Sequence, residues 1–187
     1  MPGLDHFGWL APYYERFIKP RQEDPLHSVA GLPVSGPLLD AGGGTGRIAQ
    51  SLVNLAGRVV VADLSLKMLK EAAGKDHLQA VNCHSEHLPF PDGYFERVVM
   101  VDALHHVCDQ RQTAGELFRV LAPGGRLVIE EPDVRVWGVK LIAVGEKLLL
   151  MRSHFLSPPR IAALFAGLSE RVSVKNDGPI SYTVVEK

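Results

Sequence analysis

The chain has 187 residues, 46% of them hydrophobic, with a formal net charge of −1 and an isoelectric point near 6.7. That length and apolar content suit one domain with one filled core, and the balanced charge lacks the basic surplus that marks a polyanion-binding surface. Cys83 and Cys108 are too few for a disulfide framework, and Met1-Pro2-Gly3-Leu4-Asp5 lacks the basic and apolar regions of a signal peptide, so a cytoplasmic protein with reduced thiols is expected.

Residues 9–18 predict a short helix carrying Trp9, Tyr13 and Tyr14, followed by a Pro- and Gly-punctuated connector over 20–36. From there strand and helix patterns alternate. Short Val/Leu/Ile runs at 37–40, 58–63, 78–83, 97–102 and 126–131 read as strands buried on both faces. Helices are predicted at 47–56, closed by Gly57, at 66–73, closed by Gly74, and at 113–121, closed by Pro123-Gly124-Gly125. Residues 136–151 read as an amphipathic helix; its apolar end follows Glu146 and Lys147 and is far shorter than the roughly 20 apolar residues of a membrane span. Ser157-Pro158-Pro159 starts a further helix, and 170–175 and 181–186 form two strands joined at Asn176-Asp177-Gly178.

Repeated βαβ units make an α/β protein with a doubly wound, Rossmann-like, mostly parallel sheet, here closed by an antiparallel C-terminal strand. The expected organisation is a single domain over 1–187, with a helical, lid-like segment at 1–36, a cofactor-binding core at 37–132, and helices plus hairpin at 133–187.

The segment Leu38-Leu39-Asp40-Ala41-Gly42-Gly43-Gly44-Thr45-Gly46-Arg47 is an apolar strand end, an acid and three alternating glycines. It predicts a sharp strand-to-helix turn whose bare backbone lets a ligand lie against it. Gly42, Gly44 and Gly46 give G-x-G-x-G, while Gly44, Gly46 and Ala49 fit the G-x-G-x-x-A variant of the dinucleotide signature. Asp63 ends the second strand, where a carboxylate accepts hydrogen bonds from ribose hydroxyls; it also stands where it would cap the helix beginning near Ser65. Asp102, at the fourth strand end, is placed either to meet the cofactor or to stabilise its own turn.

Two His/Cys groups, Cys83 with His84 and His87, and His105 with His106 and Cys108, invite a metal reading. In a 3-2-1-4-5 strand order they follow strands separated by two others, about 14 Å of sheet, so one tetrahedral site does not collect both and no metal is expected.

Taken in order, Asp40-x-Gly42-x-Gly44-x-Gly46, Asp63-Leu64-Ser65, Ser85-Glu86-His87-Leu88-Pro89-Phe90-Pro91-Asp92-Gly93-Tyr94-Phe95, Ala103-Leu104-His105-His106-Val107 and Leu121-Ala122-Pro123-Gly124-Gly125 resemble the class I S-adenosylmethionine-dependent methyltransferases. The likeness is narrower to the small-molecule branch that includes ubiquinone/menaquinone-biosynthesis-type enzymes, and it covers about residues 37–132. It implies a seven-stranded sheet, S-adenosyl-L-methionine as cofactor and methyl transfer by in-line displacement to a small or medium organic acceptor. It also implies that Asp40 and the Gly42–Gly46 loop face the methionine portion, that Asp63 holds the ribose, and that Leu64 packs on the adenine. His84 stands where the family usually has an acid that contacts the adenine amino group, with Ser85 beside it as a substitute.

Alignment of nucleophile and methyl supplies most of the rate in such a transfer, and a base is needed only where the acceptor must lose a proton; His105, His106 and His154 are the candidates by type. Trp9, Tyr13 and Tyr14 are either a packed helix face or a substrate lid. Two other functions share the pattern: a nicotinamide-dependent oxidoreductase, and a non-catalytic cofactor-binding module. The expected partner is a small-molecule acceptor, with neither nucleic acid nor membrane, and a second subunit completing a homodimer would close an otherwise open pocket.

Overall fold

The computed structural model describes residues 25–137, 139 and 153–187. Seven strands form one sheet in the order β3-β2-β1-β4-β5-β7-β6: β1 Pro37–Ala41, β2 Arg58–Asp63, β3 Leu78–Asn82, β4 Phe95–Val101, β5 Leu121–Pro132, β6 Val172–Asp177 and β7 Ile180–Glu186. The first five run parallel, while β7 lies antiparallel between β5 and β6. Gly178 at φ 59° followed by Pro179 makes the two-residue turn of that hairpin.

The central strands are buried on both faces because helices cover both, which is why they lack polar alternation. Successive residues of each strand feed opposite cores. Leu38, Val59, Val61, Val99 and Val128 pack with α1 Pro25–Val29, α2 Arg47–Leu52 and α3 Leu66–Ala73. Leu39, Val60, Val98, Met100 and Ile129 pack with α4 Gln110–Val120 and α5 Pro158–Ala163. Burying one such Leu or Ile side chain contributes about 1.5–3 kcal/mol.

The predicted β2 and α3 coincide with the structure, whereas other bounds shift. The helix expected at 47–56 ends at Leu52, because residues beyond it turn so that Leu55 O accepts the Val34 N–H (2.9 Å). The helix expected from 113 begins at Gln110, where Asp109 caps it by accepting the Gln112 N–H (2.9 Å). β5 starts at Leu121 rather than 126, since Leu121 pairs with Phe95 ahead of a bulge. α1 lies inside the stretch expected to be connector. The helix expected at 9–18 and nearly all of that at 136–151 lie outside the described residues. Among the described residues, no helix is long and apolar enough to cross a membrane.

Arg119 on α4 braces the loop between β3 and β4. Its guanidinium donates to Leu88 O (2.9 Å), Phe90 O (2.8 Å), Asp92 Oδ1 (2.7 Å) and Glu116. Glu116 in turn accepts the Leu88 N–H (2.8 Å). Register then brings the carboxyl ends of β1, β2, β4 and β5 to one edge: Asp40 lies beside Val61 and Val99, and Val101 beside Glu130. Sites in open parallel sheets form at this edge.

Candidate active site

The glycine loop leaves β1 and enters α2 across the sheet edge. Gly42, Gly44 and Gly46 all have positive φ (71°, 54° and 74°). At Gly46 a Cβ would stand 2.8 Å from Leu78 Cδ1 and 3.2 Å from Ala72 Cβ, so both backbone conformation and close packing on α3 and β3 demand glycine. At Gly43 a Cβ would lie 2.6 Å from the Asp40 carboxyl carbon, which tucks beneath the loop. The missing side chains therefore clear room for the protein behind the loop as much as for a ligand in front of it.

Asp40 is 1% exposed. Its Oδ2 accepts the Ala49 N–H (3.1 Å), while Oδ1 is buried with no hydrogen-bond partner among the described residues. Burial pushes its carboxyl up to about 7; the Ala49 hydrogen bond and the Arg47 charge oppose that rise, and the Asp63 charge adds to it. An unpartnered buried carboxylate oxygen is costly unless a donor or cation completes it. The cationic methionine end of S-adenosylmethionine fits that requirement.

Asp63 joins β2 to the loop. Its Oδ2 accepts the Gly44 N–H (2.9 Å) and its Oδ1 accepts the Ser65 N–H (2.7 Å). A carboxylate is an acceptor-only group, the chemistry that sugar hydroxyls require. Asn82 sets the chain beyond it, Nδ2 donating to Asp63 O and Leu64 O (both 2.9 Å). Leu64 and Leu66 are 59% and 60% exposed, an apolar surface beside that carboxylate of the kind a purine ring covers. Ser85 is half-buried in the turn after β3, and His84 is exposed, 3.8 Å from Glu86. Glu86 instead braces the start of α4, its Oε1 accepting the Cys108 and Asp109 N–H groups (2.8 and 3.2 Å). Burial and the Asp63 charge push the Cys83 thiol up to about 11.

After β4 the chain makes a strained turn: Asp102 has φ 53° and its N–H donates to Glu130 O (2.9 Å). The turn presents Leu104–His106 as a 3-10 helix. His105 is buried, its Nδ1 2.6 Å from Glu131 Oε2 and its Nε2 4.0 Å from Asp102 Oδ1. Burial and the neighbouring His105 push His106 down to about 3, so it stays neutral; its Nδ1 lies 3.4 Å from Ser153 Oγ. His154 is exposed, with its N–H donating to His105 O (2.7 Å) and its O accepting from Gln110 Nε2 (2.7 Å). His105 joins a carboxylate at this edge, that of Glu131.

The structure thus gathers Asp40, the glycine loop, Asp63 and Leu64 around the ends of β1 and β2, with Asp102 and His105 at the ends of β4 and β5. Trp9, Tyr13 and Tyr14 lie outside the described residues. Among the described residues, no three His, Cys, Asp or Glu side chains come together as a metal site. The Glu131–His105 pair, the Glu86 brace and the Asn82 contacts are not legible as roles in the sequence; the available signal for Glu131 was an acid ending an apolar strand run.

A family model for the methyltransferase domain matches residues 39–129. The chain is 36% identical over 112 residues to the ubiquinone/menaquinone biosynthesis C-methyltransferase UbiE of Hahella chejuensis, covering 54% of this chain and 45% of that protein. It is 39% identical over 104 residues to UbiE of Proteus mirabilis, covering 50% and 41%. The chain thus spans less than half the length of these relatives. Among solved structures, it is similar to a SAM-dependent methyltransferase of Thermotoga maritima (TM-score 0.76, 20% identity, 97% of each chain). It is also similar to the YcgJ protein of Bacillus subtilis (TM-score 0.72, 21% identity, 81% of this chain and 68% of that one). The matched core, with its acid-tipped first strand and glycine loop, is similar in sequence to methyltransferase domains and shares the fold of S-adenosylmethionine-dependent methyltransferases.

Proposed function

We propose that this chain, acting as one domain, transfers the methyl group of S-adenosylmethionine to a small or medium organic acceptor. The observation that carries the reading is Asp40 Oδ1, buried under the glycine loop with no hydrogen-bond partner among the described residues. Asp40 and the loop would hold the methionine end, Asp63 the ribose, and Leu64 the adenine. When bound, the cofactor supplies a methyl carbon on a positively charged sulfur, open to in-line attack.

The protein's own contribution is alignment. Strain at the Asp102 turn and the packing of Ala103 against the loop fix the wall along which an acceptor approaches: a Cβ on Gly42 would meet Ala103 Cβ at 2.7 Å. Holding nucleophile and methyl in attack geometry is worth effective molarities of about 10⁵ M or more. Electrostatics disfavours a nicotinamide dinucleotide, because its anionic pyrophosphate would lie against Asp40 and Asp63 rather than against an uncompensated helix N-terminus.

The relatives' names describe C-methylation in ubiquinone and menaquinone biosynthesis; for this chain the acceptor is proposed at the coarser level of a small organic nucleophile. Titration calorimetry with S-adenosylmethionine and S-adenosylhomocysteine should give saturable binding of both, with none of reduced nicotinamide cofactor. Absence of binding of both at millimolar concentration would sink the reading.

A further inference from the structure

We propose that Asp40 holds a proton in the free protein and exchanges it for the positive charge of the ligand's methionine portion, so that cofactor binding expels a proton and weakens as the medium is acidified. This rests on the methyl-transfer reading above.

Asp40 stands inside the sheet, in register with Val61 on β2 and Val99 on β4, and is 1% exposed. Its carboxyl has a single printed donor, the Ala49 N–H on Oδ2 (3.1 Å), and Oδ1 is buried with no hydrogen-bond partner among the described residues. One neutral hydrogen bond does not compensate a full charge taken out of water, whereas a carboxyl protonated on Oδ1 has no charge to compensate.

A second acid on the same bend sharpens the choice. Asp63 Oδ2 accepts the Gly44 N–H (2.9 Å), and a Cβ on the adjacent Gly43 would lie 2.6 Å from the Asp40 carboxyl carbon, so the two acids brace neighbouring peptides of one loop. The charged groups facing Asp40 are Asp63 from β2, which opposes its ionisation, and Arg47 from the start of α2, which favours it. From β4 it meets Val99, and Gly42, Gly43 and Gly44 bring no charge. Burial is the largest influence, and it pushes the carboxyl up to about 7.

On binding, the Oδ1–H bond breaks, its electron pair stays on Oδ1 and the proton passes to solvent. The carboxylate left behind meets the incoming cation, and the oxygen without a partner in the free protein gains one. S-adenosylmethionine offers two positive charges, the α-ammonium and the sulfonium, and S-adenosylhomocysteine keeps the first alone, so the two ligands tell which charge is exchanged. The ligand takes the ionised form, which the free protein populates above the folded value; affinity is therefore full above about pH 7 and declines as pH falls through it.

Calorimetric titration at pH 6 in cacodylate and in bis-Tris, buffers of different ionisation heat, counts the protons. An α-amino group, ordinarily at about 7.7–8.0, is already charged at that pH and contributes little. Wild type should release about 0.9 proton per S-adenosylmethionine bound at pH 6, and its affinity should rise about tenfold from pH 5 to pH 6 and flatten above pH 7. Asp40→Asn has no such proton to give, so its release should fall to near zero and its affinity should hold level from pH 5 to pH 7. Release with S-adenosylhomocysteine as well marks the ammonium as the exchanged charge, and release with S-adenosylmethionine alone marks the sulfonium; either supports the exchange. A wild-type protein that binds S-adenosylmethionine with no proton released, or an Asp40→Asn protein that releases as much as wild type, overturns the proposal. Where Asp40→Asn fails to fold or bind, infrared difference spectra of wild type carrying isotope-labelled aspartate decide: a protonated-carboxyl band at pH 6 that vanishes on binding supports the exchange, and its absence from the free protein overturns it. Failure of both ligands to bind wild type at millimolar concentration overturns the underlying reading instead, and this one with it.

Discussion

Replacing Asp40 by Asn tests the cofactor reading and its electrostatic cost in one variant. The carboxyl stands at about 7 in the fold against an ordinary 3.8, so keeping it ionised in the interior costs about 4 kcal/mol at 1.36 kcal/mol per pH unit. The folded value lies above the unfolded one, so the folded chain holds the extra proton between those limits. The associated stability is complete below about pH 4 and is lost as pH rises through 7. Asn has no charge to bury. Its carbonyl keeps the Ala49 bond, while its amide occupies the place of the partnerless oxygen at a cost of about 1–3 kcal/mol. Urea unfolding of the free proteins from pH 5 to pH 8 should therefore show Asp40→Asn gaining on wild type by about 3 kcal/mol across that range. Affinity for S-adenosylmethionine should move the other way, falling about 10-fold or more, since a charge-assisted contact is worth about 1.5–3 kcal/mol. A variant whose stability tracks wild type at every pH within about 0.5 kcal/mol, or that binds the cofactor unchanged, would refute the argument.

His106 is pushed down to about 3, so its contribution is present above the ordinary value of 6.5 and is lost as pH falls below it; His106→Gln should stabilise the protein by about 1–2 kcal/mol at pH 5 and little at pH 8, read by thermal unfolding at both pH values. Gly46→Ala combines a φ of 74° with a Cβ 2.8 Å from Leu78, and should cost about 2–3 kcal/mol in urea unfolding; a loss under about 0.5 kcal/mol would mean the loop relaxes freely.

The fold was readable where local and global preferences agree. The β2 run Arg58-Val59-Val60-Val61-Ala62-Asp63 is apolar between two charged ends, and α3 stops at Gly74, whose N–H bonds back to Glu71 O, so both elements sit where the sequence places them. Boundaries slipped where a distant partner decides. Val34 bonds beyond the end of α2, and Phe95 draws Leu121 into β5 before the Pro123-Gly124-Gly125 bend. At the site, residue types and strand ends were legible, but pairings were not. The Gly44–Asp63 bond joins residues 19 apart and the His105–Glu131 bond residues 26 apart, and only assembly of the sheet edge brings either pair together.

The carboxylate of Asp63 anchors Gly44 and Ser65 before any sugar arrives. On the proposed reading, architecture and recognition there share one pair of atoms, so an alanine at that position would slacken the bend and erase the proposed nucleoside grip together. Loss of affinity in such a protein says little about the sugar by itself. A cofactor analogue lacking its ribose hydroxyls, offered to the intact chain, separates the two roles that mutagenesis would confound.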